Sequence, residues 1–267
     1  MSLEDILLEQ HNKHAKVTLV EEFHDEIDPS ITFSVVDRTS LVLHQFDTRR
    51  LEFQNGSTYA YSTIYLDKSR RIQPIYESVQ YLADAFFPSF DGLERALVLG
   101  CAGCSIPRFL ALSSANCQIT GIEYSEKMVE IARKHFINDP LFENFDLRHE
   151  DAFTFVKKTK EKYNYLYVDL FTSEKNHPRM LSDDFLRDID LISAKESIAI
   201  FNLLSLNREE SNKFALRHLH HFTAAYLFDE TFHYYVAFVN TADPAKRKAF
   251  EERASKSVRI LERYVSR

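Results

Sequence analysis

The chain has 267 residues, of which 45% are hydrophobic and 27% are charged, the balance of an ordinary globular protein. The formal net charge is −7, so no positive field attracts a nucleic-acid backbone, and we exclude nucleic acid as an expected partner. The apolar stretches, such as 222–228, are too short to cross a bilayer, and 1–5 lack the basic start of a signal peptide. Three cysteines without a paired framework fit a reducing compartment, so the expected location is cytoplasmic, with no membrane partner.

The first quarter of the chain predicts a small antiparallel sheet that is preceded by a short polar helix over 3–14. Residues 17–66 lack helical periodicity and are rich in β-branched and aromatic residues, which favour strands. The strand-like runs are 17–20, 31–36, 41–46, 50–54 and 57–65. Asn55-Gly56, between the last two runs, supplies the positive φ angles of a tight hairpin turn. We therefore expect a small N-terminal β-rich domain over 1–71.

The rest of the chain, 72–267, predicts a second domain in which strands and helices alternate. It opens with an amphipathic helix over 72–87, because apolar residues recur there at helical spacing. Strands are predicted at 96–100, 118–123, 145–149, 163–170 and 197–204, and helices at 105–114, 125–137, 151–161, 183–192 and 207–221. This alternation is typical of a doubly wound, mostly parallel α/β sheet. Two closely connected strands, 224–229 and 233–240, add an antiparallel hairpin, and a charged helix over 243–264 closes the chain.

A tight turn of small residues follows the first strand of this second domain. The turn consists of Gly100, Cys101, Ala102 and Gly103, and a helix is predicted directly after it. Small residues let the backbone approach a ligand closely, and a helix N-terminus presents unpaired amides. The pair Cys101 and Cys104 has the spacing of a metal-binding motif, but a zinc site needs a second pair of ligands, so no metal is predicted.

Carboxylates follow the next two strands of the predicted sheet. Glu123, with Tyr124 beside it, ends the second strand and can accept hydrogen bonds from ribose hydroxyls. Asp151, followed by Ala152, comes after the third strand and can meet an adenine amino group. Alternatively, the glycines only form a tight turn, and the two carboxylates only stabilise helix N-termini. A dinucleotide enzyme is a further alternative, but three elements at three successive strand ends favour a nucleoside cofactor.

The residues along these elements resemble the spermidine synthase family, the polyamine aminopropyltransferases. The resemblance covers roughly 40–240 and rests on the segments 97–110, 121–136, 149–156, 163–169 and 181–185. It implies the class I S-adenosylmethionine-dependent methyltransferase fold, with a seven-stranded sheet that ends in an antiparallel hairpin. It also implies a small N-terminal β domain, which agrees with the predicted hairpin at Asn55-Gly56.

The resemblance further implies a chemistry for two residues. In the family, the cofactor is decarboxylated S-adenosylmethionine, and a diamine nitrogen attacks its aminopropyl carbon. Asp169, at the end of the fourth strand, would deprotonate and hold the amine, and Tyr76 would position it. A carboxylate suits this task because a diamine arrives as a cation and must lose a proton before it attacks. The alternative is that Asp169 only caps its loop and Tyr76 only packs.

The sequence departs from the family pattern at three positions. Gly103 stands where polyamine-making members have an acid, Thr172 where they have a second Asp, and Glu77 where they have Gln or His. An acid in the turn would repel the carboxylate of ordinary S-adenosylmethionine, so Gly103 relaxes that exclusion. We therefore expect a transferase that binds S-adenosylmethionine or its decarboxylated form and acts on an amine or other small acceptor. A small-molecule methyltransferase, a non-catalytic nucleoside-binding protein and a homodimer stay open.

Overall fold

The computed structural model describes residues 15–26, 29–39, 47–55, 57–67, 72–73, 81–138, 140–172, 175–230 and 233–266. These residues form two compact units. The first contains the described residues of 1–75 together with 102–105 and 130–138, and the second contains the remainder. The predicted helix over 3–14 and the predicted strand over 41–46 lie outside the described residues. The predicted boundary between 71 and 72 also adjoins residues outside that part of the chain, and it stays a prediction.

The first unit contains a five-stranded antiparallel sheet in the order β1-β2-β3-β4-β5. Its strands are β1 (Lys16–His24), β2 (Thr32–Thr39), β3 (Asp47–Asn55), β4 (Ser57–Leu66) and β5 (Ile72–Gln73). Asn55 pairs with Ser57, which confirms the predicted hairpin between β3 and β4. Aromatic rings pack across three neighbouring strands, because Phe33 lies between Phe23 and Phe53 at centroid distances of 5.3 and 6.0 Å. This apolar row holds the sheet together.

The predicted helix over 72–87 is only partly correct. Residues 72 and 73 form β5, in which Ile72 pairs with Leu66 and Gln73 pairs with Tyr65. The helix that the structure describes in this region is α1 (Tyr81–Phe86). Apolar spacing over a short run does not distinguish a helix from a strand. Here the edge of the antiparallel sheet supplies the backbone hydrogen bonds that decide in favour of a strand.

The second unit contains an eight-stranded sheet in the order β15-β13-β14-β12-β9-β6-β7-β8. The five strands from β12 to β8 are parallel, and β14, β13 and β15 are antiparallel to their neighbours. The strands are β6 (Arg95–Leu99), β7 (Gln118–Glu123), β8 (Phe145–His149), β9 (Tyr163–Val168), β12 (Ser193–Asn202), β13 (Ala224–Glu230), β14 (His233–Asn240) and β15 (Arg259–Val265). This arrangement confirms the predicted α/β class. A separate short hairpin pairs β10 (Phe171–Thr172) with β11 (Lys175–Asn176).

The end of the chain corrects the prediction of seven strands and a terminal helix over 243–264. The helix α7 (Pro244–Ser257) stops before Val258, and the following residues form β15, the eighth strand. Strand β15 pairs with β13 at the edge of the sheet, where Tyr264 lies opposite Ala225. Charged side chains are common on edge strands, because they discourage pairing with other molecules. The charges of 259–263 therefore do not indicate a continuing helix.

Helices cover the sheet of the second unit. After α1 they are α2 (Ser105–Ser113), α3 (Glu126–His135), α4 (Ala152–Lys158), α5 (Asp183–Ile192), α6 (Arg208–His218) and α7. The sheet and helices α4, α5 and α6 enclose an apolar core that includes Leu166, Val168 and Phe201, each with no exposed surface. Within the described residues, no helix combines the length and apolar composition that a membrane span requires.

Candidate functional site

The turn that follows β6, here called the glycine turn (100–105), requires a glycine at its first position. Gly100 has a φ of +83°, a conformation that side-chain-bearing residues rarely adopt. A Cβ atom on Gly100 would overlap the carbonyl oxygen of Asp169 and lie 2.9 Å from its carbonyl carbon. The backbone amide of Gly100 donates to Ile122 at 2.9 Å. Gly100 therefore lies between the chain ends of β7 and β9.

The glycine turn also contains two strained residues that are not glycine. Ala102 and Cys104 have φ angles of +43° and +60°. Such conformations cost on the order of 1–3 kcal/mol each and persist only where the surroundings enforce them, often at ligand-binding sites. The conformations of Cys104 and of the predicted cofactor residue Ala102 are thus fixed by the fold rather than by local preference.

Glu123, at the end of β7, is oriented by two backbone amides. Its Oε2 accepts a hydrogen bond from the amide of Cys101, and its Oε1 accepts one from the amide of Ser125, both at 3.0 Å. Ser125 in turn accepts a bond from Met128 through its hydroxyl group at 3.0 Å, at the start of α3. A carboxylate offers about four lone-pair positions, so two amides fix its orientation without excluding further donors. Tyr124, which follows it, is 59% exposed.

Asp151, after β8, caps α4 in the manner that the alternative interpretation described. Its Oδ1 accepts hydrogen bonds from the amide and the hydroxyl of Thr154 at 2.8 and 2.6 Å. Ala152 is the buried first residue of the helix. The amide of Glu150 donates to the carbonyl of Glu123 at 3.0 Å, so the ends of β7 and β8 lie side by side. Capping through one oxygen is compatible with the predicted adenine contact, which stays a prediction.

A group of aromatic and cationic side chains surrounds Phe153, next to Asp151. The guanidinium carbon of Arg179 lies 4.1 Å from the centre of the Phe153 ring, and the ring of His177 lies 4.8 Å from it. Burial lowers the pKa of His177, and the charge of Arg179 lowers it further, while Asp151 acts in the opposite direction. His177 is therefore near the predicted adenine-binding carboxylate. No sequence pattern indicates His177 or Arg179, because they follow a segment without a recognised motif.

Gly103 belongs to the first unit, where it contacts Ser62 of β4. The amide of Gly103 donates to the Ser62 hydroxyl at 3.1 Å. A Cβ atom on Gly103 would lie 2.6 Å from the Ser62 Cβ and 2.9 Å from its hydroxyl oxygen. Real Cβ atoms do not approach so closely, so a side chain at residue 103 would require Ser62 or the turn to shift. The sequence gives no signal for this contact, because the partners are 41 residues apart.

Asp169 directly follows β9 and lies in a polar group that we call the Asp169 corner (Asp169, Asn176, Asn202 and Ser205). Phe201 of β12 pairs with Val168 of β9, so Asn202 and Asp169 are the next residues on two adjacent parallel strands. Asn202 donates through Nδ2 to Asp169 Oδ1 at 3.0 Å. The Asp169 amide donates to Leu99 at 2.8 Å, which ties the corner to the end of β6.

Asn176 and Ser205 fix the backbone of the Asp169 corner. The side-chain amide of Asn176 donates to the backbone carbonyl of Asn202 at 2.7 Å. Asn176 Oδ1 accepts hydrogen bonds from the amide and hydroxyl of Ser205 at 3.1 and 2.9 Å. Thr172, where the family has a second Asp, is exposed on the β10–β11 hairpin. The Asp169 corner therefore contains one carboxylate, that of Asp169, which is held by the neutral side-chain amide of Asn202, and Asn202 is held in turn by that of Asn176.

The structure brings most of the predicted site residues to the carboxyl ends of neighbouring strands. Gly100 and Cys101 follow β6, Glu123 ends β7, Asp151 follows β8 and Asp169 follows β9. Tyr76, the second predicted catalytic residue, lies outside the described residues, and its role stays a prediction. Among the residues that the structure describes, no cluster of His, Cys, Asp and Glu is suited to hold a metal ion.

Two curated proteins that are similar to this chain are both named polyamine aminopropyltransferases. The chain is 31% identical over 163 residues to polyamine aminopropyltransferase 2 of Aquifex aeolicus (strain VF5), a match that covers 59% of this chain and 31% of the relative. It is 23% identical over 118 residues to polyamine aminopropyltransferase of Vibrio vulnificus (strain CMCP6), a match that covers 43% of this chain and 39% of the relative. The matches thus span about a third of these relatives' length. No family model matches the chain.

Solved structures agree with the fold. A probable spermidine synthase from Corynebacterium glutamicum superimposes with a TM-score of 0.62 and 12% identity, covering 88% of this chain and 86% of that one. A spermidine synthase in complex with the transition-state analogue AdoDATO superimposes with a TM-score of 0.56 and 12% identity, covering 90% of this chain and 84% of that one. Human methyltransferase-like protein 13 in complex with SAH superimposes with a TM-score of 0.52 and 16% identity, covering 67% of this chain and 89% of that one. The resemblance to spermidine synthases and the methyltransferase-like fold are confirmed.

Proposed function

We propose that this chain is a spermidine-synthase-like transferase, which moves an aminopropyl group from a nucleoside sulfonium donor to a small-molecule amine. The observation that carries the proposal is that two acidic residues flank one turn. Glu123 accepts the amide of Cys101, and the Asp169 carbonyl packs against Gly100. The names of the two curated relatives support the same activity.

The donor in this proposal is S-adenosylmethionine or its decarboxylated form. Two structural neighbours were solved with SAH and with AdoDATO, which supports a ligand of this class. The oriented carboxylate of Glu123 suits ribose hydroxyls, with Tyr124 beside it, and Asp151 with Ala152 would receive the adenine. The backbone of Cys101, Ala102 and Gly103 would line the rest of the ligand. The donor supplies an electrophilic carbon on a sulfonium sulfur, which accepts the electron pair when the carbon–sulfur bond breaks.

Asp169 would act on the amine. A primary amine arrives as an ammonium ion, and Asp169 would accept one of its protons and leave a lone pair on nitrogen for attack. The hydrogen bond from Asn202 Nδ2 keeps the carboxylate in place at the end of β9. Tyr76 would position the amine, as the family resemblance implies. With Thr172 in place of a second Asp, the acceptor needs only one cationic nitrogen.

Methyl transfer is the second candidate function, and the contact between Gly103 and Ser62 favours it. Because Ser62 fills the space beside residue 103, no acid stands there to repel the carboxylate of S-adenosylmethionine. The donor carboxylate is therefore tolerated, and the methyl group of this donor becomes available. A non-catalytic nucleoside-binding protein is the outcome if a ligand binds but neither group is transferred.

The decisive experiment is product analysis with both donors and a panel of small amines. We expect methylthioadenosine and an aminopropylated amine from the decarboxylated donor. Asp169→Asn should lower this turnover by roughly 10²–10⁴-fold, the range for a general acid–base residue, while donor binding is kept. We also expect calorimetry to show that both donors bind. Full turnover in Asp169→Asn would contradict the assignment of the base, and S-adenosylhomocysteine as the sole product would select methyl transfer.

The proposal includes a cytoplasmic location and a place in polyamine biosynthesis. All three cysteines, Cys101, Cys104 and Cys117, are buried thiols, which suits a reducing compartment. Burial also raises the pKa of the Cys117 thiol to about 12, so it stays protonated and unreactive near neutral pH. Sedimentation analysis would establish whether the protein forms the homodimer that the sequence leaves open.

A further inference from the structure

The buried amide of Asn202 is satisfied on one side only. Its Nδ2 donates to Asp169 Oδ1 at 3.0 Å, whereas its Oδ1 is buried and has no hydrogen-bond partner among the described residues. The side chain belongs to a residue that is only 6% exposed. Most buried polar atoms in folded proteins are hydrogen-bonded, so an unpaired carbonyl oxygen beside a candidate catalytic carboxylate calls for a ligand.

The orientation of this amide follows from its neighbour. If the amide were reversed, its oxygen would face the carboxylate of Asp169, and two acceptors would repel each other. The observed orientation is therefore the one that an ionised Asp169 selects. Because both amide atoms belong to one planar group, a donor that binds Asn202 Oδ1 lies close to the Asp169 carboxylate.

The backbone beneath this amide is held in place. Asn176 binds the carbonyl of Asn202 at 2.7 Å, and Ser205 closes the network through two hydrogen bonds to Asn176 Oδ1. The side chain of Asn202 is thus supported on a strand end and by neighbouring loops. Such support is what a group that positions a substrate requires.

We propose that Asn202 Oδ1 and the Asp169 carboxylate form a two-point site for the N–H groups of the acceptor amine. This inference rests on the proposed function and names a substrate-binding residue for it. The incoming R–NH₃⁺ donates one N–H to Asp169 and a second to Asn202. When Asp169 takes a proton, R–NH₂ keeps its bond to Asn202, and its lone pair is free to attack the donor carbon.

An amide suits this second position better than another carboxylate. Asn202 accepts a hydrogen bond but does not take the proton, so it orients the neutral amine without competing with Asp169 as a base. It also adds no negative charge, which would raise the pKa of Asp169. The site therefore favours primary and secondary amines over tertiary amines, because a tertiary amine has a single N–H in its charged form and satisfies only one of the two acceptors.

The test compares butylamine with N,N-dimethylbutylamine, whose ammonium forms carry three N–H groups and one. Binding is measured by NMR titration of protein saturated with methylthioadenosine. We expect wild-type protein to bind butylamine about tenfold or more tightly than the dimethyl compound. In Asn202→Leu, which keeps the side-chain volume but lacks the acceptor, this preference should fall to within about threefold. The acid limb of the pH profile of kcat/KM should also move to higher pH, because the Asp169 carboxylate loses the hydrogen bond from Asn202 Nδ2.

Asn164→Leu is the matched control. Asn164 also bridges strand ends through its side-chain amide, which donates to Glu196 at 3.1 Å, but it lies at the opposite end of β9 from Asp169. This variant should keep the wild-type preference. Asn202→Ser replaces Asn202→Leu if the latter does not fold, because the shorter hydroxyl loses the same contact.

Two outcomes overturn the inference and leave the proposed function standing. One is wild-type protein that binds methylthioadenosine but does not distinguish the two amines. The other is a folded Asn202→Leu that keeps the full preference, since only steric exclusion would then explain it. Wild-type protein that binds neither methylthioadenosine nor amines overturns the proposed function itself, and with it the inference.

Discussion

The glycine turn and the Asp169 corner follow adjacent parallel strands, yet the chain shapes them by different means. The glycine turn depends on close backbone packing, because side chains are excluded at Gly100 and Gly103. The Asp169 corner depends on side-chain hydrogen bonds between Asp169, Asn202 and Asn176. Packing of this kind makes an added atom costly, whereas a hydrogen-bonded corner tolerates isosteric changes. The two regions should therefore respond differently to mutation.

The largest effect is expected from Gly100→Ala, which tests the packing side of this comparison. The new Cβ would overlap the Asp169 carbonyl and impose a positive φ of +83° on alanine. We expect a loss of about 3–5 kcal/mol in unfolding free energy, the range of severe backbone and packing defects. Urea denaturation measures it.

Gly92→Ala is the control for Gly100→Ala, since its Cβ would meet only Phe87 at an ordinary 3.6 Å. This variant should unfold within about 1 kcal/mol of wild type. If Gly100→Ala is equally stable, the backbone of the turn moves aside at little cost, and close packing does not define it.

A smaller effect is expected from Glu123→Ala, which removes the hydrogen-bonding group that the glycine turn does use. Methylthioadenosine binding should weaken by about 1–3 kcal/mol, the range for the loss of a charged hydrogen-bond partner. Calorimetry measures the affinity, and a thermal melt shows whether the variant is folded. Glu126→Ala, in the first turn of α3, removes a nearby exposed carboxylate and should bind like wild type. An unchanged affinity in folded Glu123→Ala would remove the ribose assignment.

Local sequence patterns predict those parts of the site that lie at strand ends. Glu123 and Asp169 each end an apolar strand, and Gly100 opens a tight turn, so the spacing along the chain was sufficient to place them. Asn202 also ends an apolar strand, and the same rule would have found it. These positions were predictable because parallel strands bring their carboxyl ends to one edge.

The remaining features arise from contacts between distant parts of the chain. Ser62 meets Gly103 across 41 residues, and no periodicity within either segment indicates that contact. The charges of β15 suit a helix as well as a strand, and its pairing with β13 determines that it is a strand. Tertiary hydrogen bonding overrides local preference in short polar segments.

The smallest expected effect is the coupling between Gly103 and Ser62, which a double-mutant cycle measures. Gly103→Ala alone places a Cβ 2.6 Å from that of Ser62 and should cost about 1–3 kcal/mol of unfolding free energy, as overpacking does. In a Ser62→Gly background, the same substitution should cost about 1 kcal/mol less, because both clashing atoms are gone.

A Ser62→Ala background separates sterics from hydrogen bonding in this cycle. It removes the hydroxyl that accepts the Gly103 amide but keeps the Cβ, so Gly103→Ala should remain costly there. The remaining neighbour, Phe136, lies at an ordinary 3.5 Å and does not restrict the new methyl group. If relief appears in Ser62→Ala and Ser62→Gly alike, the hydroxyl alone causes the clash. If Gly103→Ala costs as much in both backgrounds as in wild type, the backbone rather than Ser62 restricts residue 103. The absence of an acidic residue from the glycine turn then has a conformational cause.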